Sequence, residues 1–572
     1  MNAPLGTGLA PDDRTAPQAR ADSFCSGQPC FGDARLASMA ASEGALRAWE
    51  QAFEQSGAQA PRQVEGHFSV ALRTGKRVFL AVDRFAVQGL CYRQVGDSLR
   101  FAERADELAS GAEIDPQAIF DYLFFHVIPA PRTIYKGVFR VPPGHYVLFE
   151  QGQLTVAPYW VAEFEDHSIA PFAELSSNFK DLLAAAVERQ IGGLAPEKLG
   201  CFLSGGTDSS TVAGMVGKVS GQAAATYSIG FDAAGYDEMA YARIAAKHFG
   251  TRHHEYYVTP DDLVRSIGKV AGHYDQPFGN SSALPAYYCA LMAKADGVER
   301  MLAGDGGDEL FGGNSRYAKE RVFGWYQLLP GGMRRGFMEP ILRQQAANRL
   351  PLLRKAASYV EQASVPMPDR LQMYNLLLRL GVDQVLTAPF LAQVDQGAPL
   401  RQQREVWAAA RTDSPINRVL AFDWRYTLAD CDLPKVCGTT GLAGVSVGFP
   451  LLDDRLLAFS LQLPSEYKLK GLKLRWFFKE ALRGFLPDEI ITKKKQGFGL
   501  PFGVWTLGHA GLRELAGVSL QSLAERGIVH RSFVEKLMGE RLAEHPGYYG
   551  EMVWILMMLE QWLQQHAPGY KL

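Results

Sequence analysis

The sequence predicts an α/β protein in which a small β-rich part precedes a larger part built on a parallel sheet. The larger part begins with apolar residues at helical spacing over residues 175–186, which lead into a short apolar run at 199–203. A second predicted strand at 225–231 and a predicted helix at 236–249 repeat this alternation. Strands that alternate with helices are typical of parallel sheets covered on both faces, so we expect that arrangement here.

The first third of the chain has a different pattern. Apolar runs at 68–72 and 78–82 are separated by Arg, Thr, Gly and Lys, which is typical of strands in a small β-rich domain. Residues 1–35 are rich in Ala, Gly, Pro, Asp and Ser without a sustained period, and we expect them to form a mobile head. We therefore place one domain at 36–165 and a second at 170–572.

Composition restricts the partners that we expect. The chain has 572 residues, a formal net charge of −2 and a pI near 6.7, so it has no long-range field that would attract nucleic acid or an anionic membrane. Its seven cysteines are scattered and lack a repeated Cys-x-x-Cys spacing, which argues against a disulfide framework and a zinc site. The sequence shows no signal peptide and no long apolar segment. We expect a cytoplasmic enzyme without nucleic-acid or membrane partners, and a homodimer is left open.

The most informative motif is Ser-Gly-Gly-Thr-Asp-Ser-Ser at residues 204–210, between a predicted buried strand and a predicted helix. Two glycines let the backbone approach a ligand closely, and the amides and hydroxyls at a helix N-terminus suit a phosphate group. The Gly-Lys-Ser/Thr ending of a P-loop is absent. The motif therefore indicates a phosphate site of another type, and an ordinary turn that caps a helix is the alternative.

A second glycine-rich segment spans residues 303–313 and follows the apolar pair Met301 and Leu302. It carries three carboxylates among five glycines, a composition that would be poor in a buried core. Taken alone, the second segment has a solvated turn as its alternative.

The two segments together resemble the synthetase domain of the asparagine synthetase family, and residues 204–210 resemble the pyrophosphate-binding loop of ATP pyrophosphatases. The resemblance runs over residues 64–565, and relatives include β-lactam synthetases and lasso-peptide cyclases. Further matching segments lie at residues 227–231, 236–238, 275–278, 450–453 and 493–498. The resemblance implies a degenerate class II glutamine amidotransferase domain of the Ntn amidohydrolase type, with an α+β fold. An adenine-nucleotide α-hydrolase-like parallel-sheet domain, of the ATP pyrophosphatase type, would follow it.

This resemblance implies an ATP-dependent carbon–nitrogen ligase that forms an amide bond and releases AMP. ATP would adenylate a substrate carboxylate with release of pyrophosphate, and a nitrogen nucleophile would then attack the acyl-adenylate. ATP and Mg²⁺ are the implied cofactors, and the implied partners are a carboxylate substrate, small or peptidic, and a nitrogen donor. Ammonia, an amine delivered by a partner and an amine within the same substrate all remain open as that donor.

The resemblance also assigns roles to residues. Asp208 and Asp308 would bind Mg²⁺ and pyrophosphate. Lys495 matches the family's active-site lysine, where a fixed cation would stabilise charge on the α-phosphate. Asp305 stands where the best-known asparagine synthetases have a glutamate proposed as general base, so it is the second expected catalytic residue. The expected nucleotide-binding residues are Ser204, Gly205, Gly206, Asp208, Ser209, Ile229 and Gly304.

The N-terminal part departs from the glutamine-dependent members of the family. Those members begin with a processed Met-Cys whose thiol attacks glutamine, whereas residue 2 here is Asn2 and no glutamine cradle follows Cys25 or Cys30. Segments at 66–68, 83–85 and 143–145 match the later half of the amidotransferase domain. We therefore expect a structural remnant without glutaminase activity that packs on the synthetase domain.

A second departure lies between Lys435 and Pro450, where the resemblance places the substrate pocket. Family members carry Asp-Arg where this chain has Cys437 and Gly438, and Glu-x-Arg where it has residues 446–448. The loss of four charges predicts a roomier, less polar pocket and argues against free aspartate as substrate, whose charges are costly to desolvate unpaired. The alternatives are an ammonia- or glutamine-dependent asparagine synthetase, a lasso-peptide macrolactam cyclase and a non-catalytic nucleotide-binding relative.

Overall fold

The N-terminal part of the fold consists of short strands and a few helices. The computed structural model describes residues 22–166, 170–327, 332, 351–494 and 499–572. The strands of this part are β1 Phe24–Gly27, β2 Cys30–Phe31, β3 Val64–Glu65, β4 Phe68–Thr74, β5 Arg77–Val82, β6 Cys91–Val95, β7 Ser98–Ala102, β8 Phe139–Arg140, β9 His145–Glu150 and β10 Gln153–Pro158. The helices are α1 Ala34–Glu43, α2 Ala45–Ser56 and α3 Pro116–Phe125.

An antiparallel sheet forms the centre of the N-terminal part, with the strand order β1-β4-β5-β9-β10. A smaller sheet has the order β7-β6-β8. The strands predicted at 68–72 and 78–82 are confirmed as parts of β4 and β5. Phe68 of β4 packs against Trp49 of α2 with ring centroids 4.9 Å apart, so α2 covers one face of the larger sheet.

The first strand corrects one expectation from the sequence. The expected mobile head over residues 1–35 is wrong for residues 24–35, because β1 pairs antiparallel with β4 and α1 follows soon after. Asp33 caps α1 by accepting two hydrogen bonds from backbone amides of its first turn. A strand of four residues is too short for a periodic pattern to reveal, and residues 1–21 lie outside the described part of the chain.

The C-terminal part alternates strands with helices, as the sequence predicts. Its strands are β11 Leu199–Phe202, β12 Ala225–Phe231, β13 Arg252–Val258, β14 Arg300–Leu302, β15 Ser446–Gly448, β16 Leu469–Lys470 and β17 Lys473–Leu474. Its helices before β15 are α4 Phe172–Ile191, α5 Thr207–Ser220, α6 Met239–Phe249, α7 Pro260–His273, α8 Ala283–Ala295, α9 Gly307–Phe311, α10 Ser315–Gln327, α11 Pro351–Ser364, α12 Leu376–Leu380, α13 Val382–Val385, α14 Ala388–Leu391, α15 Ala398–Ala409, α16 Pro415–Asp423 and α17 Leu433–Ala443. The later helices are α18 Asp454–Gln462, α19 Ser465–Lys468, α20 Trp476–Ala481, α21 Asp488–Thr492, α22 Phe502–Gly508, α23 Ala510–Glu525, α24 Arg531–Lys536, α25 Leu542–Glu544 and α26 Pro546–His566. Across the described segments, none of the helices combines the length and the apolar character needed to cross a membrane.

Strands β11 to β15 form one parallel sheet in the order β13-β12-β11-β14-β15, which confirms the predicted α/β class. The strand predicted at 225–231 has the bounds of β12, and all seven of its residues are buried, as expected of a strand covered on both faces. The register pairs Cys201 of β11 with Leu302 of β14. The carboxyl ends of these neighbouring strands therefore lie side by side, and the segments at 204–210 and 303–313 meet there.

Helix α16 continues through a π-helical segment, Trp424–Asp432, directly into α17. A π-helix is rare and is frequently found at functional sites. Within this segment, Asp430 accepts a hydrogen bond from the Ala130 amide of the N-terminal part at 3.2 Å. Asp432 is the last residue of this segment, and Lys435 lies in the first turn of α17. Both residues line a cleft at the carboxyl ends of β11, β12 and β14.

A buried carboxylate joins the two parts of the protein. Asp275, which follows α7, accepts hydrogen bonds from Arg140 at 3.1 and 3.2 Å and from the Ala105 amide at 2.9 Å. Burial acts to raise the pKa of Asp275, but Arg140 and Arg104 outweigh it and hold the pKa below its usual value. The N-terminal part is thus fixed to the parallel-sheet part by an ionised, hydrogen-bonded group.

Replacing Asp275 by Ala should lower the free energy of unfolding by about 3 kcal/mol, because it leaves the mostly buried Arg140 without its carboxylate partner. The midpoint of urea unfolding measures this loss. Glu163→Ala is the control, since it removes an exposed pair with Arg411 and should cost about 1 kcal/mol or less. Equal shifts for the two variants would contradict a structural role for Asp275 between the two parts.

Candidate active site

Residues 204–210 leave the end of β11 and turn into α5, and hydroxyl groups fix the shape of this turn. The Ser204 amide donates to Ser209 Oγ at 3.2 Å, and the two hydroxyl oxygens lie 3.1 Å apart. Gly205 has a φ of +68°, and a Cβ there would lie 2.4 Å from the amide nitrogen of Ala242 in α6. The turn is therefore pressed against α6, and the first amides of α5, which have no partners within the helix, stand at the cleft.

The second glycine-rich segment packs directly on the first. A Cβ at Gly304 would lie 2.7 Å from the amide nitrogen of Ser209, and a Cβ at Gly307 would lie 2.2 Å from Asp208 Oδ1. Glycine is required at both positions because the two segments approach so closely. This contact brings the acidic residues of the second segment next to Asp208.

One guanidinium group links the acidic residues of the two segments. Arg475 precedes α20, and its Nη1 and Nη2 atoms lie 2.5 and 2.7 Å from the two carboxylate oxygens of Asp208. Nη2 also contacts Asp308. The Arg475 side chain is 7% exposed, and a Cβ at Gly313 would overlap both Asp308 and Arg475. Asp208 and Asp308 therefore converge on one position in the structure.

The convergence of Asp208 and Asp308 fits a magnesium ion. Mg²⁺ prefers oxygen ligands and is commonly held by one or two carboxylates together with phosphate oxygens. In the described segments, the side chains form no group of three or more His, Cys, Asp or Glu residues that could hold a metal. Two carboxylates are thus what this part of the protein offers, and phosphate and water would supply the other ligands.

Asp305 belongs to a second group of charges in the cleft. Lys435 Nζ lies 2.9 Å from Asp432 Oδ1 and 3.6 Å from Asp305 Oδ1. Burial raises the pKa of Asp305 to about 6, Lys435 opposes this rise, and the carboxylates of Asp432 and Asp208 add to it. Burial also acts to lower the pKa of Lys435, but Asp432 and Asp305 outweigh it and raise that pKa, so the lysine stays charged. Asp305 is thus a carboxylate that can exchange a proton near neutral pH.

Both groups of charges line one cleft of about 380 Å³ at the carboxyl ends of β11, β12 and β14. The predicted site residues that line it are Ser204, Gly206, Asp208, Ser209, Ile229, Gly304, Asp305 and Asp308. Gly205 lies behind the lining, because it packs on α6. Lys495, the predicted catalytic lysine, lies outside the described residues.

Two protein families match the chain, one for each part of the fold. The Asparagine synthase family matches residues 178–564, and the Glutamine amidotransferase domain family matches residues 36–160. The first match covers more than half of the chain. This protein belongs to the asparagine synthase family. The family consists of ATP-dependent carbon–nitrogen ligases, and this enzyme shares that general activity with a carboxylate and a nitrogen donor as its classes of substrate.

Curated members of the family resemble this enzyme at modest identity. Asparagine synthetase (glutamine-hydrolyzing) 1 from Bacillus subtilis (strain 168) is 24% identical over 84% of this chain and 74% of its own length. A putative asparagine synthetase (glutamine-hydrolyzing) from Mycobacterium tuberculosis is 23% identical over 89% and 78%. Among solved structures, glutamine phosphoribosylpyrophosphate amidotransferase from B. subtilis, complexed with ADP and GMP, is 10% identical. That alignment covers 50% of this chain and 62% of the other, and its TM-score of 0.18 is too low to support an argument about the fold.

The stretch that departs from other asparagine synthases is placed differently from what the sequence predicts. Of that stretch, Lys435 and Val436 line the cleft. Cys437 and Ser446 instead line cavities between the N-terminal part and the parallel-sheet part, and the larger of these measures about 630 Å³. The neutral replacements therefore change the boundary between the two parts more than they change the cleft.

Two of these replacements leave no extra room. A Cβ at Gly438 would lie 2.5 Å from the ring of Tyr274, and a Cβ at Gly448 would lie 2.4 Å from Gln190 Oε1. The expected roomier pocket is therefore wrong at these two positions, because neighbouring side chains fill the space.

The sequence patterns did not reveal Arg475 or Asp432 as site residues, and they gave Lys435 no role. Arg475 follows a short hairpin of β16 and β17, and only the fold brings it to Asp208. A signal was available for Asp432 and Lys435, since Lys435 begins the stretch in which the resemblance places the substrate pocket and Asp432 is a charged residue just before it.

Gly205→Ala should weaken ATP binding by about tenfold or more, because its Cβ would overlap the backbone of α6 and displace the turn at residues 204–210. Isothermal titration with ATP measures the change. Gly221→Ala, at the other end of α5, is a matched control, since Gly221 also has a φ of +68° but has nothing within 4 Å of its Cβ position. Equal losses of ATP affinity would assign the effect to backbone strain instead of overlap with α6.

Proposed function

We propose that this enzyme activates a substrate carboxylate as its acyl-adenylate and transfers the acyl group to a nitrogen nucleophile, without hydrolysing glutamine itself. The observation that carries the proposal is the convergence of Asp208 and Asp308 beside the turn at residues 204–210. A magnesium ion held there would neutralise the pyrophosphate that leaves when ATP is cleaved. Asp305 lies in the same cleft, where the second step would take place.

The chemistry of the cleft walls supports a particular placement of ATP. Ser204 and Ser209 offer hydroxyl groups, and the first amides of α5 offer further donors, to the phosphates. Ile229 lies on an apolar wall that suits the adenine base. Lys495 keeps its predicted role as a fixed cation for the α-phosphate and the acyl-adenylate.

Asp305 is the general base that we propose for the second step. With a pKa of about 6 it is mostly ionised at neutral pH, so it can take the proton that an attacking amine loses. Lys435 keeps a positive charge beside it and thereby limits the rise in its pKa. The carboxylate is one methylene shorter than a glutamate, so the amine must bind correspondingly closer to the backbone of the second segment.

The N-terminal part supports the proposed lack of glutaminase activity. Cys25 lies within β1, where it pairs with Val70 of β4. Burial raises the pKa of its thiol to about 11, against a smaller opposing effect of Trp49. A nucleophilic cysteine needs a lowered pKa, so Cys25 is unsuited to attack glutamine.

The charges in the cleft also bear on the carboxylate substrate. Lys435 contributes its ammonium group to the described lining, and that group already contacts Asp432 and Asp305. Free aspartate would bring an α-ammonium and an α-carboxylate in addition to the reacting group, and each would need its own partner. We infer a substrate whose other charges are absent or stay in solvent, such as a peptide or another bulky acid.

Pyrophosphate release tests the proposal. The purified protein with Mg-ATP, ammonium and a panel of carboxylates should release pyrophosphate only when an accepted carboxylate is present. Asp208→Asn should lower the rate about 100-fold or more, because the metal loses a charged ligand. Asp232→Asn, which changes an exposed carboxylate just after β12, should leave the rate unchanged.

Three outcomes would contradict parts of this proposal. Pyrophosphate release that survives Asp208→Asn would rule out the metal site, and glutamate release from glutamine would rule out the absence of a glutaminase. Formation of asparagine from aspartate and ammonium would identify an asparagine synthetase and contradict the inference about the substrate.

The pH dependence of amide formation tests Asp305. Since the base must be ionised, the rate should fall as pH drops below about 6, and Lys435, Asp432 and Asp208 are the charged groups that set this limit. Lys435→Gln removes the charge that lowers the pKa, so it should move the acid limb to higher pH. Asp432→Asn removes a charge that raises the pKa, so it should move the limb to lower pH.

Methoxyamine is a suitable nitrogen donor for this measurement, because it is a weak base that stays largely uncharged near the acid limb. The limb then reports the enzyme and not the donor. Shifts in the same direction for Lys435→Gln and Asp432→Asn, or no shift in either, would contradict Asp305 as the titrating base.

A further inference from the structure

Arg475 has a backbone conformation that its neighbours in sequence do not explain. Its φ is +52°, a left-handed value that a residue with a side chain rarely adopts. Such a conformation persists where the surrounding contacts determine it, and it is often found at functional sites. The Arg475 amide donates to the Gly312 carbonyl at 3.1 Å, and its guanidinium holds Asp208 and Asp308. Both backbone and side chain of Arg475 are thus tied to the acidic segments.

The guanidinium occupies carboxylate oxygens that a magnesium ion would use. Nη1 and Nη2 use both oxygens of Asp208, and Nη2 also contacts Asp308. Mg²⁺ binds carboxylate oxygens directly, at about 2.0–2.1 Å, and its double charge would repel a guanidinium at the same oxygens. The two cations therefore compete for one position.

The charges around Asp208 and Asp308 indicate which ligand would favour binding of the metal over the guanidinium. Arg475 and Lys479, one turn further along α20, are two cationic groups that interact with the charge of Asp208. Burial lowers the pKa of Lys479, the charge of Arg475 lowers it further, and Asp208 opposes both, which places Lys479 within the same electrostatic environment. Addition of Mg²⁺ leaves an excess of positive charge that a polyphosphate would neutralise.

We propose that Mg²⁺ replaces the Arg475 guanidinium at Asp208 and Asp308. The metal is then bound tightly only when a phosphate group binds the guanidinium in place of the carboxylates. The exchange presupposes the proposed nucleotide site. Phosphate suits the released group, because guanidinium N–H groups can bind a phosphate with two parallel hydrogen bonds. Arg475 is then a positioning residue for the two carboxylates before the metal binds and a phosphate ligand afterwards.

Binding of Mn²⁺ in the absence of nucleotide, followed by electron paramagnetic resonance, tests the exchange directly. Arg475→Gln should bind Mn²⁺ about tenfold more tightly than the wild-type protein, because the competing cation is gone and every molecule is competent to bind the metal. Arg483→Gln removes an exposed arginine that pairs with Glu480, and it should leave Mn²⁺ affinity unchanged. Equal affinities for the wild type and Arg475→Gln would overturn the proposal.

Binding of inorganic pyrophosphate is the second measurement, and the proposal predicts the opposite change in affinity for it. In the presence of Mg²⁺, Arg475→Gln should bind pyrophosphate about tenfold more weakly, since it loses a bidentate contact. Arg475→Lys keeps the charge but not the fork of N–H groups, so it should recover part of the affinity. A purely structural role would weaken both ligands, whereas exchange strengthens the metal and weakens pyrophosphate.

The thermal midpoint shows whether the variants fold. Mg²⁺ alone should raise the midpoint of Arg475→Gln more than that of the wild type, because the metal relieves the repulsion between Asp208 and Asp308. If Arg475→Gln does not fold, Arg475→Met, which also removes the positive charge, takes its place, and a Mn²⁺ affinity equal to that of the wild type again overturns the proposal. These titrations need no carboxylate substrate, so a failure of the proposed ligase reaction would leave their outcome unaffected.

Discussion

The parallel pairing of β11 with β14 is the constraint on which the site depends. Each strand is followed by a glycine-rich turn, and the register that joins Cys201 to Leu302 places the two turns in direct contact. The contact is so close that Gly304 and Gly307 have no room for a side chain. A shift of this register by one residue would turn Leu302 to the other face of the sheet and separate the two turns. The positions of Asp208, Asp305 and Asp308 in the cleft follow from this pairing.

That closeness creates an electrostatic problem, because carboxylates that share one cleft repel each other. Two cationic side chains reduce this repulsion, and each of them lies between two carboxylates. Arg475 lies between Asp208 and Asp308, whose hard oxygens suit a metal ion. Lys435 lies between Asp432 and Asp305 and leaves Asp305 with a pKa near neutrality. One cleft thus contains two environments with different chemistry, which the two steps of the proposed reaction would need.

Local patterns predicted the elements whose own residues determine them. The bounds of β12 and the two glycine-rich segments could be read from the sequence because apolar runs and turn residues are local signals. Arg475 could not, since its role depends on a hairpin and a helix start that meet Asp208 only in the fold. Gly438 shows a different limit: the sequence tells which side chain is missing, but it does not tell that Tyr274 fills the space. The sequence therefore predicted motifs formed by neighbouring residues, but it did not predict which distant residue would contact them in the fold.

The contacts between the two parts give the N-terminal domain a structural role that does not depend on the proposed loss of glutaminase activity. Asp83 is buried and accepts hydrogen bonds from four backbone amides of its own domain, which shapes the turn that carries Arg84. Arg84 lies 2.7 Å from Asp454, and Asp454 also accepts a hydrogen bond from the Gly66 amide. Asp275 depends on the domain in the same way. Without the domain, two carboxylates of the parallel-sheet part would lose these charge-assisted hydrogen bonds and ion pairs. The stability of the parallel-sheet part therefore depends on the N-terminal domain, whether or not a cysteine in that domain can attack glutamine.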